Sequence, residues 1–388
     1  MFLLVVINMR ILHATLITLL TLVCGTNLHA RQIKYVPRPT LQIINGSSQP
    51  IEVFWLNPNG KQVSNGKVNP GNDTLITTTI GHRFLLQGLN DDSKVEVTSK
   101  VLVQAVRFDP PSDLGIPDFY TQKLEANGFP IVASASVNPY ALKEAAFLVD
   151  QLLAKRPDVR NAMIESGSRL CIIGWSEFTT DLPEWERLGK NPHPDFLSLS
   201  GKDYWDARAR GTGGSNRDPN CSCGEENLLG YPGDPYSTEC ILVHEIAHNI
   251  HLRGMANVDP TFDDRLRKAY QSAMSQGLWK GKYASVNHHE YFAEGVQSWF
   301  DDNRENDHDH NHVNTRKELI EYDPQLAELC KEVFGDTKFR YTKPATRLNG
   351  HMQGYDPAGA PRFIWPKRLA NAKKEIRMMA QRRNDDAK

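Results

Sequence analysis

The sequence predicts a multidomain fold, a small all-β sandwich followed by a mostly helical α+β domain, and three observations carry that prediction. Short alternating runs broken by turn residues fill roughly residues 38–99. Beyond residue 139 the apolar residues change period and recur every three or four positions, the spacing of a helix face. The 388 residues also exceed one ordinary domain and leave ample length for a core. This reading gives 1–30 as an export signal, 36–105 as the β domain, 112–345 as the α+β domain and 346–388 as a C-terminal extension.

Arg10 precedes an apolar run from Ile11 to Val23, and Leu28-His29-Ala30 ends in the small residue that a signal peptidase favours. The run is short for an uncleaved bilayer span, and Val23 is bulky for a lipid-modified Cys24. The mature chain is expected to be soluble and secreted, or periplasmic in a Gram-negative host, with no membrane as partner. Lys and Arg total 45 against 46 Asp and Glu, a formal net charge of −1. That balance argues against nucleic acid as a partner. Export implies oxidising conditions, so one of the close pair Cys221 and Cys223 is expected to bridge Cys240, with Cys223–Cys240 preferred; Cys171 and Cys330 read as core thiols. Asn45, Asn72 and Asn220 begin sequons.

In chain order, Leu41 to Ile44 and Ile51 to Trp55 alternate as strands around the turn Asn45-Gly46-Ser47-Ser48. Asn59-Gly60 and Pro70-Gly71 mark further turns, with strand-like runs at 74–79 and 83–87. A linker, Asp109-Pro110-Pro111-Ser112-Asp113, closes the β part. Helices are expected at 139–155 and 159–165, then a strand at 169–174, an order that suits an α+β domain rather than a parallel wound sheet. The stretch 201–235, with Gly211-Thr212-Gly213-Gly214, reads as an edge strand or lid along a cleft, or as a surface loop. Further helices are expected at 261–275, 287–301 and 316–334, and a loose, helix-prone tail from Ala370.

The chemistry concentrates at Val243-His244-Glu245-Ile246-Ala247-His248. Residues four apart on a helix share a face, so His244 and His248 can hold one metal ion while Glu245 stands beside it as a base. Ser237 and Thr238 offer an N-cap, Ile241, Leu242, Ile246, Ala247 and Ile250 a buried face, and Gly254 a stop. His251 is excluded as third ligand, because seven residues from His244 rise about 10.5 Å along the axis. Glu290 and Glu294, four apart on an apolar and aromatic helix, are better candidates. One as ligand and the other as acceptor for a ligand imidazole would remove the cost of burying them. His288 and His289 are expected to flank the cleft without binding metal, and His308 to His312 to form a solvated loop.

Two resemblances add to this. Trp55-Leu56-Asn57-Pro58-Asn59-Gly60, Asn69-Pro70-Gly71 and Gly81-His82-Arg83-Phe84 resemble the β domain of the von Hippel-Lindau family. The resemblance implies a peptide pocket lined by Trp55, Thr78 and His82; Asn65 stands where the family has a pocket tyrosine, and Phe84 where it has a tryptophan. The HExxH motif followed about forty residues later by Glu290-Tyr291-Phe292-Ala293-Glu294 resembles the catalytic domain of anthrax lethal factor and related gluzincin metallopeptidases. That likeness implies a zincin-like fold, Zn2+ as cofactor, His244, His248 and Glu290 as its ligands, Glu245 as catalytic base and Tyr283 as oxyanion donor. Glu294 falls in the layer behind the ligands. The expected function is a secreted zinc endopeptidase with a peptide or protein substrate. The alternatives are a zinc-bound, non-catalytic peptide-binding protein working through its β domain, and a hydrolase of non-peptide amides.

Overall fold

Seven strands fill the N-terminal part of the computed structural model, which describes residues 37–110 and 115–386. They are β1 (Thr40–Asn45), β2 (Ile51–Leu56), β3 (Gln62–Val68), β4 (Asp73–Thr77), β5 (Arg83–Gly88), β6 (Lys94–Thr98) and β7 (Val103–Phe108). One sheet has the order β4-β1-β7 and the other β3-β2-β5-β6. Alternation aims Leu41 and Ile43, Ile51 and Val53, and Phe84 and Leu86 into one shared apolar core. The sequence reading missed β3 and β6, whose side chains are mostly exposed and polar. It also ended the β part at residue 105, whereas β7 runs to Phe108 and pairs in parallel with β1. The expected signal at 1–30 and most of the linker lie outside the described residues.

The second part opens with a hairpin, β8 (Gln122–Ala126) and β9 (Phe129–Ala133). Asn127, at φ 48°, and Gly128, at φ 88°, turn it. It was missed because β8 is largely exposed and lacks an apolar face. Helices α1 (Pro139–Leu152) and α2 (Pro157–Glu165) lead to β10 (Arg169–Ile173), followed by α3 (Gly201–Arg208), β11 (Gly211–Thr212), β12 (Asn220–Gly224) and α4 (Glu225–Leu229). The sheet order is β11-β12-β10-β9-β8. Its three central strands are parallel and both edge pairs antiparallel, so the sheet is mixed. Of the readings for 201–235, the edge strand is the one observed.

The remaining helices are α5 (Ile241–Asn249), continued by a π-helical segment Ile250–Met255 and α6 (Ala256–Val258), then α7 (Phe262–Ser275), α8 (His288–Trp299), α9 (Arg316–Tyr322), α10 (Pro324–Phe334) and α11 (Ala370–Asp386). Pro324 splits the single helix expected over 316–334, because a proline cannot continue a helix begun before it. The extension is not loose. Leu369 and Ala372 are buried with Phe178, Tyr204 and Ala207, and Arg347 pairs with the buried Glu144. The described residues from Pro37 onward form one compact unit. The second part satisfies the outer edge of β7: Val103 N donates to Asn257 Oδ1 at 2.7 Å and Ala105 N to Ser166 O at 3.0 Å. No helix among the described residues is long and apolar enough to cross a membrane.

Candidate metal centre

Helix α5 is buried along nearly its whole length against β12 and α8, so its start must find hydrogen-bond partners inside the protein. Ser237 and Thr238 do not cap it. Asp302 Oδ1 accepts from Cys240 N at 2.9 Å and Asn227 Oδ1 from Ile241 N at 2.8 Å. Both caps come from distant sequence, which a local motif cannot reveal. Gly254 is no stop either. The helix runs on through it as a π segment, and a Cβ there would come within 2.5 Å of Val159 Cγ1. The glycine is needed for the close approach of α2.

His244 and His248 project from one face of α5 with ring centroids 5.1 Å apart. Helix α8 brings Glu290 to them, its first turn fixed by Asn287, whose side chain accepts from His289 N and Glu290 N. Glu290 Oε2 lies 3.1 Å from His244 Nε2 and 3.4 Å from His248 Nε2. Ligands about 2.0–2.1 Å from a tetrahedral ion stand about 3.3 Å from one another, so both Glu290 spacings suit one shell, and the three ligand atoms all lie within 4.8 Å of one another. Donor type fits equally: two imidazoles and a carboxylate suit zinc.

The layer behind differs from expectation. Glu294 Oε1 is 3.5 Å from His244 Nδ1, but Gln297 Oε1 is nearer at 2.8 Å. Gln297 Nε2 donates to Glu239 Oε2 at 2.9 Å, which sets the orientation of its amide, and Arg304 pairs with Glu239. Glu294 instead faces His310 Nε2 at 3.3 Å and accepts from Asn303 Nδ2 at 3.0 Å. His310 is therefore a buried partner of the site rather than part of a solvated loop. Gln297, seven residues after Glu290, was findable from helical spacing; Asn303, Glu239 and His310 were not. Burial opposes charge on both His244 and Glu290, yet each overcomes it. Glu290, Glu245 and Glu294 push the His244 imidazole well above its usual range, while His248 and His244 hold the Glu290 carboxyl well below its own.

Glu245 sits beside this shell, its pKa raised by burial against the opposing pull of His244 and His248. Tyr283, in a short 3-10 turn before α8, lies with its ring centroid 6.0 Å from that of His244. Burial raises its pKa, as does the Glu290 carboxylate, whereas Arg208 at the end of α3 pulls it down. Asp309 O accepts from Tyr283 N at 2.8 Å, so the 303–312 loop holds the tyrosine in place. The glycine-rich stretch closes the other side. A Cβ on Gly211 would come 2.4 Å from Ile241 Cγ2, and one on Gly213 would come 2.3 Å from His248 Cδ2. Only glycine lets β11 lie this tightly on α5. The buried Arg210–Glu226 pair, at 2.6 Å, anchors its start.

Cys223 and Cys240 are free and buried, as are Cys171, Cys221 and Cys330, so the expected disulfide is absent among the described residues. Both side chains belong to the apolar core between β12 and α5, where burial keeps them as thiols, the form that does not attack another sulfur. Trp55, Thr78 and His82 come together within the sandwich: Thr78 Oγ1 is 3.1 Å from His82 Nδ1, and the Trp55 and His82 rings are 5.2 Å apart. Searches of protein-family models and of curated proteins match nothing to this chain.

Proposed function

We propose that the protein is a zinc-dependent endopeptidase of the lethal factor-like, gluzincin type, exported from the cell, with a von Hippel-Lindau-like β module ahead of its catalytic part. One observation carries the reading: Glu290 Oε2 stands at ligand-shell distance from the Nε2 atoms of His244 and His248, with Glu245 beside them. Zinc held by these three residues would supply Lewis acidity, bringing the pKa of a water toward about 7 and polarising a carbonyl. The other steps belong to the chain. The outer edge of β11 is unpaired within the sheet, so an extended peptide can add to it as a further strand beside α5. Glu245 takes the proton of the attacking water and delivers it to the amine nitrogen as the C–N bond breaks. Tyr283, kept protonated by burial, donates its hydroxyl hydrogen to the carbonyl oxygen as that atom gains charge. The test is chelation: cleavage of a mixed peptide library should stop with a zinc chelator and return on adding zinc. Cleavage that persists in chelator sinks the reading.

A second reading, peptide capture by the β module, is favoured by one feature. The Trp55 Nε1 donor is buried without a hydrogen-bond partner beside His82 and Thr78. A ligand hydroxyl or carbonyl would satisfy it. Asn65 is exposed and Phe84 belongs to the core, so neither stands in for the aromatic pocket residues of the family. Titrating proline- and hydroxyproline-containing peptides into wild type and Trp55→Ala tests this reading.

A further inference from the structure

A second group of imidazoles lies just beyond the first centre, outside the set of His244, His248 and Glu290. His251, on the π segment after α5, is 1% exposed. Its Nε2 lies 3.0 Å from Asp263 Oδ1, in the first turn of α7. Its other nitrogen, Nδ1, lies 3.4 Å from Nδ1 of His289, in the first turn of α8. His288 Nε2 also reaches Asp263 Oδ1, at 3.0 Å, and Arg267 reaches Oδ2 at 2.7 Å.

We propose that His251, Asp263 and His289 form a second metal site, for a divalent d-block cation of the imidazole-binding class with zinc foremost. His288 and Arg267 hold the Asp263 carboxylate in position.

Three observations support the site together. One ligand atom from each of the three residues fits within a span of 4.8 Å, the same test that the His244, His248 and Glu290 group meets. The donors are two imidazoles and a carboxylate, the chemistry of zinc again. Finally, the His251 and His289 ring centroids are 5.2 Å apart, close to the 5.1 Å between those of His244 and His248.

The three ligands come from three elements, and a cation would clamp them together. His251 follows His248 by three residues, and His289 adjoins Glu290. An ion here would therefore brace the two helices that present the first ligand set, and it would favour the folded state by mass action. The proposal concerns metal binding alone and does not depend on peptidase activity.

Metal content of the purified full-length chain, loaded with zinc and dialysed, tests it against His289→Ala and His248→Ala. Two equivalents in wild type and one in each variant are expected. A single equivalent in wild type that His289→Ala removes would still support the second site, while leaving the peptidase reading without its zinc. A single equivalent that survives His289→Ala would overturn the proposal, as would none in wild type; the cluster is then a hydrogen-bonded clasp. Cobalt titration of wild type gives an answer that needs no variant to fold: absorption bands that rise in two steps support the second site, and one step contradicts it.

Discussion

Gln297 Oε1 accepts a hydrogen bond from His244 Nδ1 at 2.8 Å, and that contact decides what the other ring nitrogen can do. With the proton on Nδ1, neutral His244 turns a lone pair at Nε2 toward the Glu290 carboxylate, 3.1 Å away. Two acceptors at that distance need a cation between them, either a proton or a metal. Removing the orienting partner should therefore weaken metal binding without removing a ligand. Gln297→Ala is expected to lose about 10- to 100-fold in zinc affinity, read by competition with a chromogenic chelator, with circular dichroism unchanged.

Glu290 contributes charge as well as geometry. Glu290→Gln keeps the shape of the side chain but gives up the anion facing both imidazoles. Zinc affinity should fall further than in Gln297→Ala, and peptide cleavage should fall with it at equal zinc concentration. Unchanged affinity would place the third ligand elsewhere.

Tyr283 is argued to act in the transition state only. Tyr283→Phe should retain its zinc and a KM near that of wild type, while kcat drops about 10²- to 10³-fold, the usual cost of one oxyanion donor. A change confined to KM would make the tyrosine a binding residue instead.

Asp234 gives the fold a pH dependence of its own. Burial raises its pKa from 3.8 to about 6, against hydrogen bonds from Tyr236 N and Asn227 that favour the anion. A group whose pKa rises on folding supports the folded state most below its unfolded value, and loses that support as pH climbs through the folded value. Between pH 4 and 6 the wild type should lose stability relative to Asp234→Asn, by at most about 3 kcal/mol, and the difference should be flat above about pH 7. Denaturant unfolding across that range checks the sign. An opposite slope would mean the carboxylate is held charged.

Helical periodicity put His244 and His248 on one face and brought out the pair Glu290 and Glu294; the choice of Glu290 came from the lethal factor-like resemblance, and the structure groups it with the two imidazoles. What lay behind that group was not legible. The choice between Glu294 and Gln297 as partner of His244 depends on how α5 and α8 cross, and two residues three apart on one helix compete for the same nitrogen. Gly254 has the composition of a helix stop, yet Val159 demands it. Cys223 and Cys240 have the separation of a loop staple, but in the structure they contribute only volume to the core. In the sandwich, the buried alternation of β1, β2 and β5 was readable, whereas β3 and β6 are edge strands with little buried on either face.

Zinc binding and the proton transfer beside it separate in one comparison. Wild type and Glu245→Gln should carry equal zinc, while cleavage of a mixed peptide library falls about 10²- to 10⁴-fold in the variant. Equal zinc with no cleavage by either protein would contradict the peptidase account and leave a metal-bearing binding protein in its place.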